Sequence, residues 1–250
     1  MQPHRSRYWL NAKTKATDPL GFADQVETIC TLYAYAPLLA SLGAHIVSCD
    51  EMTGIQALER IATTKPMLSG LEERREFEYV RHGTLSLIAN FDVVSGQIVT
   101  PSLGPRRTEA DFVAHIRQTI DTDPDAVWLF VTDQLNTHQS ESLVRLVAER
   151  CAITDELGEK GKRGVLQSLP SRAAFLSDPS HRLQFVYVPK HTSWLNQIEI
   201  WFSILVRRVI KRGNFPSVEA LRERILAFIA YFNQTARPFK WTYSGRPLVP

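Results

Sequence analysis

Two short apolar runs that each end in an aspartate constrain this chain more than any other feature. Residues 44–50 read AHIVSCD and end at Asp50, and residues 126–133 read AVWLFVTD and end at Asp133. Runs of this length and composition are typical of strands that are buried on both faces of a sheet. If the two strands lie parallel, their carboxyl ends meet at one edge, where open α/β sheets place their functional sites. We therefore expect Asp50 and Asp133 to lie close together.

The rest of the chain alternates between strand and helix patterns. Residues 78–100 predict a hairpin and LQFVYVP (183–189) predicts a further strand, because β-branched and aromatic residues are enriched there. Helical spacing of apolar residues indicates helices over residues 21–42 (with Pro37 before a second short apolar run), 108–120, 140–151, 194–212 and 217–233. This order predicts an α/β fold with a mixed sheet flanked by helices, as in the RNase H-like layout.

Composition excludes several classes of protein. Among 250 residues, 44% are hydrophobic and 22% are charged, which is typical of a globular chain and not of a disordered, collagen-like or rod-like one. We find neither a secretory signal nor a run of ~18 apolar residues that would cross a membrane. The three cysteines form no CxxC pair, so we expect no disulfide framework and a cytoplasmic location. The net charge of +3 is too small to indicate a nucleic-acid partner by itself.

A third acid lies in the predicted helix 194–212. Glu199 shares the apolar side of this helix with Leu195 and Phe202, where an unpaired carboxylate is costly unless something binds it. Two aspartates on strands and a glutamate on a helix suit two-metal phosphoryl transfer, and Mg²⁺ prefers oxygen ligands. Simpler interpretations remain open at this point. Each aspartate could cap a turn, and Glu199 could pair with Lys190 or an arginine.

The segments around these acids resemble the three acidic motifs of DDE transposases, namely SCDEMTGIQALER (48–60), FVTDQLNTHQS (130–140) and YVPKHTSWLNQIEIWFSIL (187–205). The likeness is to bacterial insertion-sequence transposases of the mariner superfamily, the IS six-thirty group. It covers about residues 20–247, and the third motif is the most specific. The resemblance implies an RNase H-like catalytic core, Mg²⁺ (with Mn²⁺ as a substitute), and DNA cleavage and strand transfer at element ends.

The resemblance also implies roles for individual residues. It implies that the catalytic and metal-binding triad consists of Asp50, Asp133 and Glu199. It implies that Asn136 and His138 assist by orienting a carboxylate or contacting a phosphate. His138 could also be an ordinary polar residue at a helix entry. It brings four residues to the DNA backbone: Lys190, His191, Ser193 and Asn196. Trp194 and Trp201 are expected in the core and not against bases.

Basic residues in VRRVIKR (206–212) follow directly on the predicted Glu199 helix. We expect these residues to form a DNA-binding strip: Arg207, Arg208, Lys211 and Arg212. The alternative is a solvated outer face whose cations lie favourably near a helix C-terminus. EKGKRG (159–164) is expected to be a solvated loop, with a DNA contact as the alternative.

Two departures from the superfamily shape the expected domain organisation. The interval between Asp133 and Glu199 is longer than usual, and residues 152–182 account for the surplus as an insertion. Family members usually begin with a helix-turn-helix region, which this chain does not offer. We therefore expect a lead-in and helical linker (1–43), an RNase H-like catalytic domain (44–235) and an extended tail (236–250).

The predicted protein is the catalytic part of a transposase. It would act with DNA, as a homodimer or higher oligomer, in the bacterial cytoplasm at the nucleoid and away from membranes. The alternative is a catalytically incompetent, truncated transposase that acts as an interaction or inhibitor protein. A general nuclease of RNA–DNA hybrids fits the fold but not the Trp-Leu-Asn-x-x-Glu motif.

Overall fold

The computed structural model describes residues 17–74 and 76–243. Its helices and strands follow this order along the chain: α1 (Pro19–Ser41), β1 (Ala44–Arg60), β2 (Tyr79–Asp92), β3 (Ile98–Gly104), α2 (Glu109–Ile120), β4 (Val127–Thr132), α3 (Glu141–Arg150), α4 (Leu169–Leu176), β5 (Leu183–Tyr187), α5 (Ile198–Leu205) and α6 (Val218–Gln234). Helix α5 continues as a π-helical turn at Val206–Ile210, and 3-10 turns lie at Asn136–Gln139, Val165–Gln167 and Ser193–Leu195. No helix in the described part of the chain is long and apolar enough to cross a membrane.

The five strands form one mixed sheet in the order β3-β2-β1-β4-β5. Strand β1 is antiparallel to β2 and parallel to β4, and its backbone pairing with β4 runs from Ala44 opposite Val127 to Ser48 opposite Val131. Strand β5 continues the parallel half beside β4, and β3 completes the antiparallel half beside β2. The predicted mixed sheet flanked by helices is confirmed, and the two acid-ending runs are neighbouring parallel strands.

Helices cover both faces of the sheet. On one face, apolar side chains of α2, α3 and α4 pack on β4 and β5, with the fully buried rings of Phe112, Phe130 and Phe185 among them. On the other face, α1 packs on the parallel half and α5 and α6 pack on the antiparallel half. The sequence of β4 has no polar side because both of its faces are covered.

The tryptophan before α5 and the tryptophan within it differ in burial. Trp201 is fully buried among aromatic side chains of α6, as expected for the core. Trp194 is 47% exposed and contacts the edge of Tyr243, so its predicted core position is wrong. The reason is local, because Trp194 lies in the 3-10 turn Ser193–Leu195 and not on the inward face of a helix.

Two helix predictions differ from the structure. The helix predicted over 194–212 begins only at Ile198, whose backbone N–H donates to the Ser48 hydroxyl of β1 (2.8 Å). Pro37 lies inside α1 and does not end it. Tyr33 and Ala36 belong to one buried face of α1, so packing against the sheet keeps the helix continuous past the missing backbone donor.

Strand β1 is longer than predicted. It continues ten residues beyond Asp50 to Arg60 and stays paired with β2 as far as Tyr79. The segment 61–78 closes this hairpin, with isolated bridges between Lys65 and Arg74 and between Leu68 and Leu71. The hairpin and its adjoining strand end carry large exposed apolar side chains, most strongly at Met67 (74%) and Phe77 (80%), and also at Ile61, Leu68, Leu71, Tyr79 and Val80.

The insertion and the tail lie at the periphery of the sheet. Residues 152–182 contain α4 and leave the β4–β5 pairing intact. The cations of EKGKRG each pair with a glutamate, in the contacts Lys160–Glu141, Lys162–Glu159 and Arg163–Glu156, which supports the solvated-loop interpretation. In the tail, Phe239 stacks on Phe91 with ring centroids 4.6 Å apart. Residues 1–16 and 244–250 of the predicted lead-in and tail lie outside the described residues.

A buried histidine between α2 and β3 makes stability depend on pH. The Nδ1 atom of His115 bonds the Ser102 hydroxyl (2.8 Å), and burial lowers the His115 pKa from 6.5 to about 3. Below about pH 6.5 the unfolded chain binds a proton at His115, whereas the folded chain binds this proton only near pH 3. The free energy of unfolding should therefore fall by up to about 1.4 kcal/mol per pH unit across this window. Urea titrations should show a smaller decline for His115→Gln than for wild type, and parallel declines would contradict this assignment.

Candidate active site

Asp50 is held in place by donors from β1 and from the turn before α5. The Nδ2 atom of Asn196 donates to Asp50 Oδ2 and to the Cys49 carbonyl, each at 3.1 Å. The Ser48 hydroxyl donates to Asn196 Oδ1, and the Glu51 backbone N–H donates to Asp50 Oδ1 at 2.8 Å. These contacts fix both the position and the rotation of the Asp50 carboxylate.

Asn196 therefore has a different role from the predicted one. It is fully buried, and its side-chain hydrogen bonds all lie inside the protein. This burial leaves Asn196 no surface for a DNA contact. Its amide connects the start of α5 to β1, which explains why the chain turns into helix only at Ile198.

Asp133 follows β4 by one residue and is oriented by His138 of the next turn. Its Oδ1 atom accepts from the Leu135 backbone N–H (2.9 Å) and lies 2.7 Å from His138 Nδ1, which also bonds the Asp133 backbone carbonyl (3.2 Å). His138 is fully buried, whereas the Asp133 side chain is 41% exposed. Within the described residues, Asp133 Oδ2 has no hydrogen-bond partner, so this oxygen is available at the mouth of the site.

Glu51 belongs to the site although the sequence analysis assigned it no role. Neighbouring residues of a strand point to opposite faces, so Asp50 meets Asn196 on one face and Glu51 meets His138 on the other. The Glu51 side chain is 2% exposed, and its Oε2 atom lies 3.1 Å from His138 Nε2. Arg107 Nη1 lies 4.0 Å from the same oxygen. Strand alternation after Asp50 was the sequence signal that could have indicated this buried acid.

The electrostatics of the two aspartates differ. Burial, then the charge of Asp133, raises the pKa of Asp50 to about 7. Burial also acts to raise the pKa of Asp133, but the hydrogen bond and charge of His138 outweigh it and hold that pKa below its usual value. Burial disfavours the His138 cation, yet bonds to Asp133 and Glu51 raise the His138 pKa to about 10. At neutral pH, His138 is therefore a buried imidazolium between two carboxylates.

Glu199 lies in the first turn of α5 and is half-buried. Its pKa is raised by burial and by the charge of Asp133, so the third acid lies within electrostatic reach of the second. In the described part of the chain its carboxylate has no ion-pair partner, so the alternative pairing with Lys190 or an arginine is not found. Glu199, Glu51 and Arg207 help to line a cleft of about 520 Å³.

Several predicted DNA-contacting residues lie on the surface, and Arg207 among them lines this cleft. Lys190, His191 and Ser193 are exposed in the segment between β5 and α5. Four basic side chains are exposed on the π-helical turn and the turn after it, and none forms an ion pair with a described residue: Arg207, Arg208, Lys211 and Arg212. Asn136 is exposed and has no side-chain hydrogen bond among the described residues. These cations are free to meet a phosphate backbone.

The donor set suits a hard divalent cation. Asp50 and Asp133 repel each other, and carboxylate oxygens are the ligands that Mg²⁺ and Mn²⁺ prefer. Across residues 17–74 and 76–243, no three His, Cys, Asp or Glu side chains are grouped tightly enough to hold one ion. Mg²⁺ is commonly bound through one or two carboxylates plus substrate phosphates, so two carboxylates suffice chemically.

Residues 45–222 match the family described as DDE superfamily endonuclease. The chain belongs to this DDE endonuclease family. The matched range contains all three predicted catalytic acids, Asp50, Asp133 and Glu199, and most of the sheet. No curated protein sequence matches the chain significantly.

Solved structures of the Mos1 mariner transposase share the fold of this chain. The Mos1 paired-end complex with Mn is 12% identical with a TM-score of 0.54, and the match covers 90% of this chain and 58% of that chain. The pre-cleavage Mos1 transpososome gives a TM-score of 0.53 at the same identity and coverages. The Mos1 catalytic domain gives 0.51 at 10% identity, with 90% of this chain and 85% of that chain covered. The RNase H-like fold is therefore confirmed, and this chain spans 58% of the length of the Mos1 chain in the paired-end complex.

Removing the Asn196 amide should destabilise the endonuclease. Asn196→Leu leaves the Ser48 hydroxyl and the Cys49 carbonyl without their buried partner, which should cost about 1–3 kcal/mol. Chemical denaturation measures this change. Asn136→Leu is the matched control, because Asn136 is exposed and makes no side-chain bond among the described residues. Equal stability of the two variants would contradict the buried network.

Proposed function

We propose that this chain is the catalytic part of a transposase, which cleaves DNA strands and transfers them at the ends of an insertion sequence. The single observation that carries the proposal is the parallel pairing of β1 with β4, which brings Asp50 and Asp133 to one edge of the sheet. Glu199 approaches the same edge from α5. Family membership and the Mos1 fold support the proposal, and residues 44–235 are the proposed catalytic domain.

In this proposal Asp50, Asp133 and Glu199 hold divalent metal, with Mg²⁺ as the resident ion and Mn²⁺ as a substitute. When bound, two such ions would stabilise the attacking and leaving oxygens of a phosphodiester. The repulsion between Asp50 and Asp133 supports a positively charged occupant. A Mos1 structure is a complex with Mn, which supports divalent metal use in this fold.

The protein's own side chains would supply orientation and charge. Asn196 fixes the Asp50 carboxylate and His138 fixes that of Asp133, so neither acid reorganises when substrate arrives. Lys190, His191 and Ser193 would contact the backbone of one DNA segment. The strip of Arg207, Arg208, Lys211 and Arg212 would neutralise phosphates along the wall of the cleft.

Catalytic competence can be tested with supercoiled plasmid in Mn²⁺. Wild type should nick the plasmid, and the variants Asp50→Ala, Asp133→Ala and Glu199→Ala should lose nicking by at least about 1000-fold while remaining folded, because each removes a ligand of the reacting phosphate's metal. Asp178→Ala, which changes a partly exposed acid of the insertion, serves as the matched control. Wild-type failure would contradict the endonuclease proposal and favour the inhibitor alternative, and nicking by one variant would remove that residue from the site.

The proposed partner on DNA is a second copy of this chain. The hairpin tip exposes Met67, Leu68, Leu71 and Phe77, and a patch of this kind on a two-stranded extension is unusual for a monomer. Two of the Mos1 structures are paired-end complexes, which supports an oligomer that joins two DNA ends.

Polar substitution of the hairpin tip should weaken self-association. Leu68→Ser with Phe77→Ser removes apolar area that only a partner would bury, so we expect the dimer dissociation constant to rise by at least about tenfold, given roughly 25 cal/mol per Å² of apolar area. Sedimentation equilibrium with and without DNA measures it. Leu226→Ser with Tyr231→Ser, on the exposed side of α6, is the control. An unchanged dissociation constant would exclude the hairpin as the contact.

A further inference from the structure

The two candidate metal-binding aspartates lie beyond the last backbone pair that joins β1 to β4. This pairing ends at Ser48 and Val131, two residues before Asp50 and Asp133, although Asp50 is still paired with Ala89 of β2. Side-chain contacts therefore complete the link between β1 and Asp133. His138 supplies contacts that join β1 to Asp133. Its Nδ1 atom lies 2.7 Å from Asp133 Oδ1, and its Nε2 atom lies 3.1 Å from Glu51 Oε2.

The orientation of the His138 ring depends on having two partners. Its face packs on Phe112 with ring centroids 4.2 Å apart, and its backbone carbonyl accepts from the Tyr187 hydroxyl (2.8 Å). These contacts hold the plane of the ring but not the choice between its two flipped orientations. Only one orientation places Nδ1 on Asp133 and Nε2 on Glu51 together. Glu51 therefore acts with the Nδ1 contacts to Asp133 to select the orientation in which His138 occupies Asp133 Oδ1 and leaves Oδ2 available.

Packing alone does not account for an acid at position 51. The Glu51 side chain is almost fully buried, and its Oε1 atom has no hydrogen-bond partner. A buried carboxylate with an unpartnered oxygen costs free energy, which an apolar residue at this position would avoid. The Glu51 carboxylate contacts His138 through Oε2, and the Arg107 guanidinium lies 4.0 Å from the same oxygen.

We propose that Glu51 is a positioning residue, which orients His138 so that Asp133 presents one fixed oxygen to a divalent cation. The inference rests on the proposed function, because it assigns Asp133 to the metal site. It adds a fourth acid that acts through a histidine and does not itself bind the metal. Partners of this kind beyond the ligands commonly change metal affinity by about 10–100-fold when they are removed.

The test is to measure Mn²⁺ binding by isothermal titration calorimetry for four proteins: wild type and the variants Glu51→Ala, Glu51→Gln and Glu59→Ala. Glu51→Ala should weaken binding by about 10–100-fold. Glu51→Gln should retain most of the affinity, because its amide oxygen can still accept from His138 Nε2. Glu59→Ala is the matched control. Glu59 lies on the same strand as Glu51, further from Asp50, and it also bonds a histidine, His82, at 2.8 Å.

A double variant separates action through His138 from a general loss of structure. If Glu51 works only through the histidine, Glu51→Ala combined with His138→Ala should bind Mn²⁺ no more weakly than His138→Ala alone. A thermal melt of each protein shows whether it is folded, and Glu51→Leu, which keeps the side-chain volume but removes the acceptor, carries the test with the same expected loss if Glu51→Ala is not.

Each contrary outcome has a distinct meaning. Wild-type affinity in Glu51→Ala would overturn the positioning role and leave the metal site intact. An equal loss in Glu51→Gln and Glu51→Ala would also overturn it, because Glu51 would then act directly through its charge as a ligand. Absence of Mn²⁺ binding by wild type would overturn the metal site of the proposed function and this inference with it.

Discussion

The short parallel pairing between β1 and β4 is the constraint on which the candidate site depends. Five residues of each strand are paired, and this mutual pairing ends two residues before each aspartate, while β1 itself stays paired with β2. Because the strands are parallel, Asp50 and Asp133 come to the same edge of the parallel half of the sheet. The helices on both faces bury these strands so thoroughly that their apolar side chains fix the register, and the register fixes the acids.

Polar contacts on the two faces of β1 then complete what the backbone pairing begins. On one face, Ser48 and Asn196 join Asp50 to the start of α5, and on the other face, Glu51 and His138 join β1 to Asp133. Both networks are buried, so their hydrogen bonds are electrostatically strong and an unpaired member would be costly. In the proposed function these networks would hold the acids in one geometry before metal or DNA binds, which is the condition under which fixed dipoles assist phosphoryl transfer.

Much of the fold could be predicted because its strands carry an unambiguous pattern. The runs ending at Asp50 and Asp133 are mostly apolar, which is typical of central strands covered on both faces. The positions of Asn196 and Glu51 could not be predicted in this way. A buried asparagine and a buried glutamate look like surface residues in a sequence, and only the three-dimensional partners of their polar atoms show their role.

Element ends were less predictable for a related reason. The start of α5 at Ile198 is set by a hydroxyl on β1, 150 positions away in the chain, and no local capping signal encodes it. Likewise, the exposure of Trp194 follows from a 3-10 turn that helical periodicity does not distinguish from a helix. Local propensity therefore gives the elements, whereas contacts that are distant in sequence decide where they begin.

The length of β1 has a mechanical consequence. One continuous strand runs from the middle of the sheet through Asp50 to Arg60 at the base of the exposed hairpin. The register of this strand with β2 shifts between Met52 and Ile55, which is the kind of irregularity that bends a strand. Because Asp50 and the base of the hairpin belong to the same strand, a displacement of the hairpin would reach the acidic edge through the backbone.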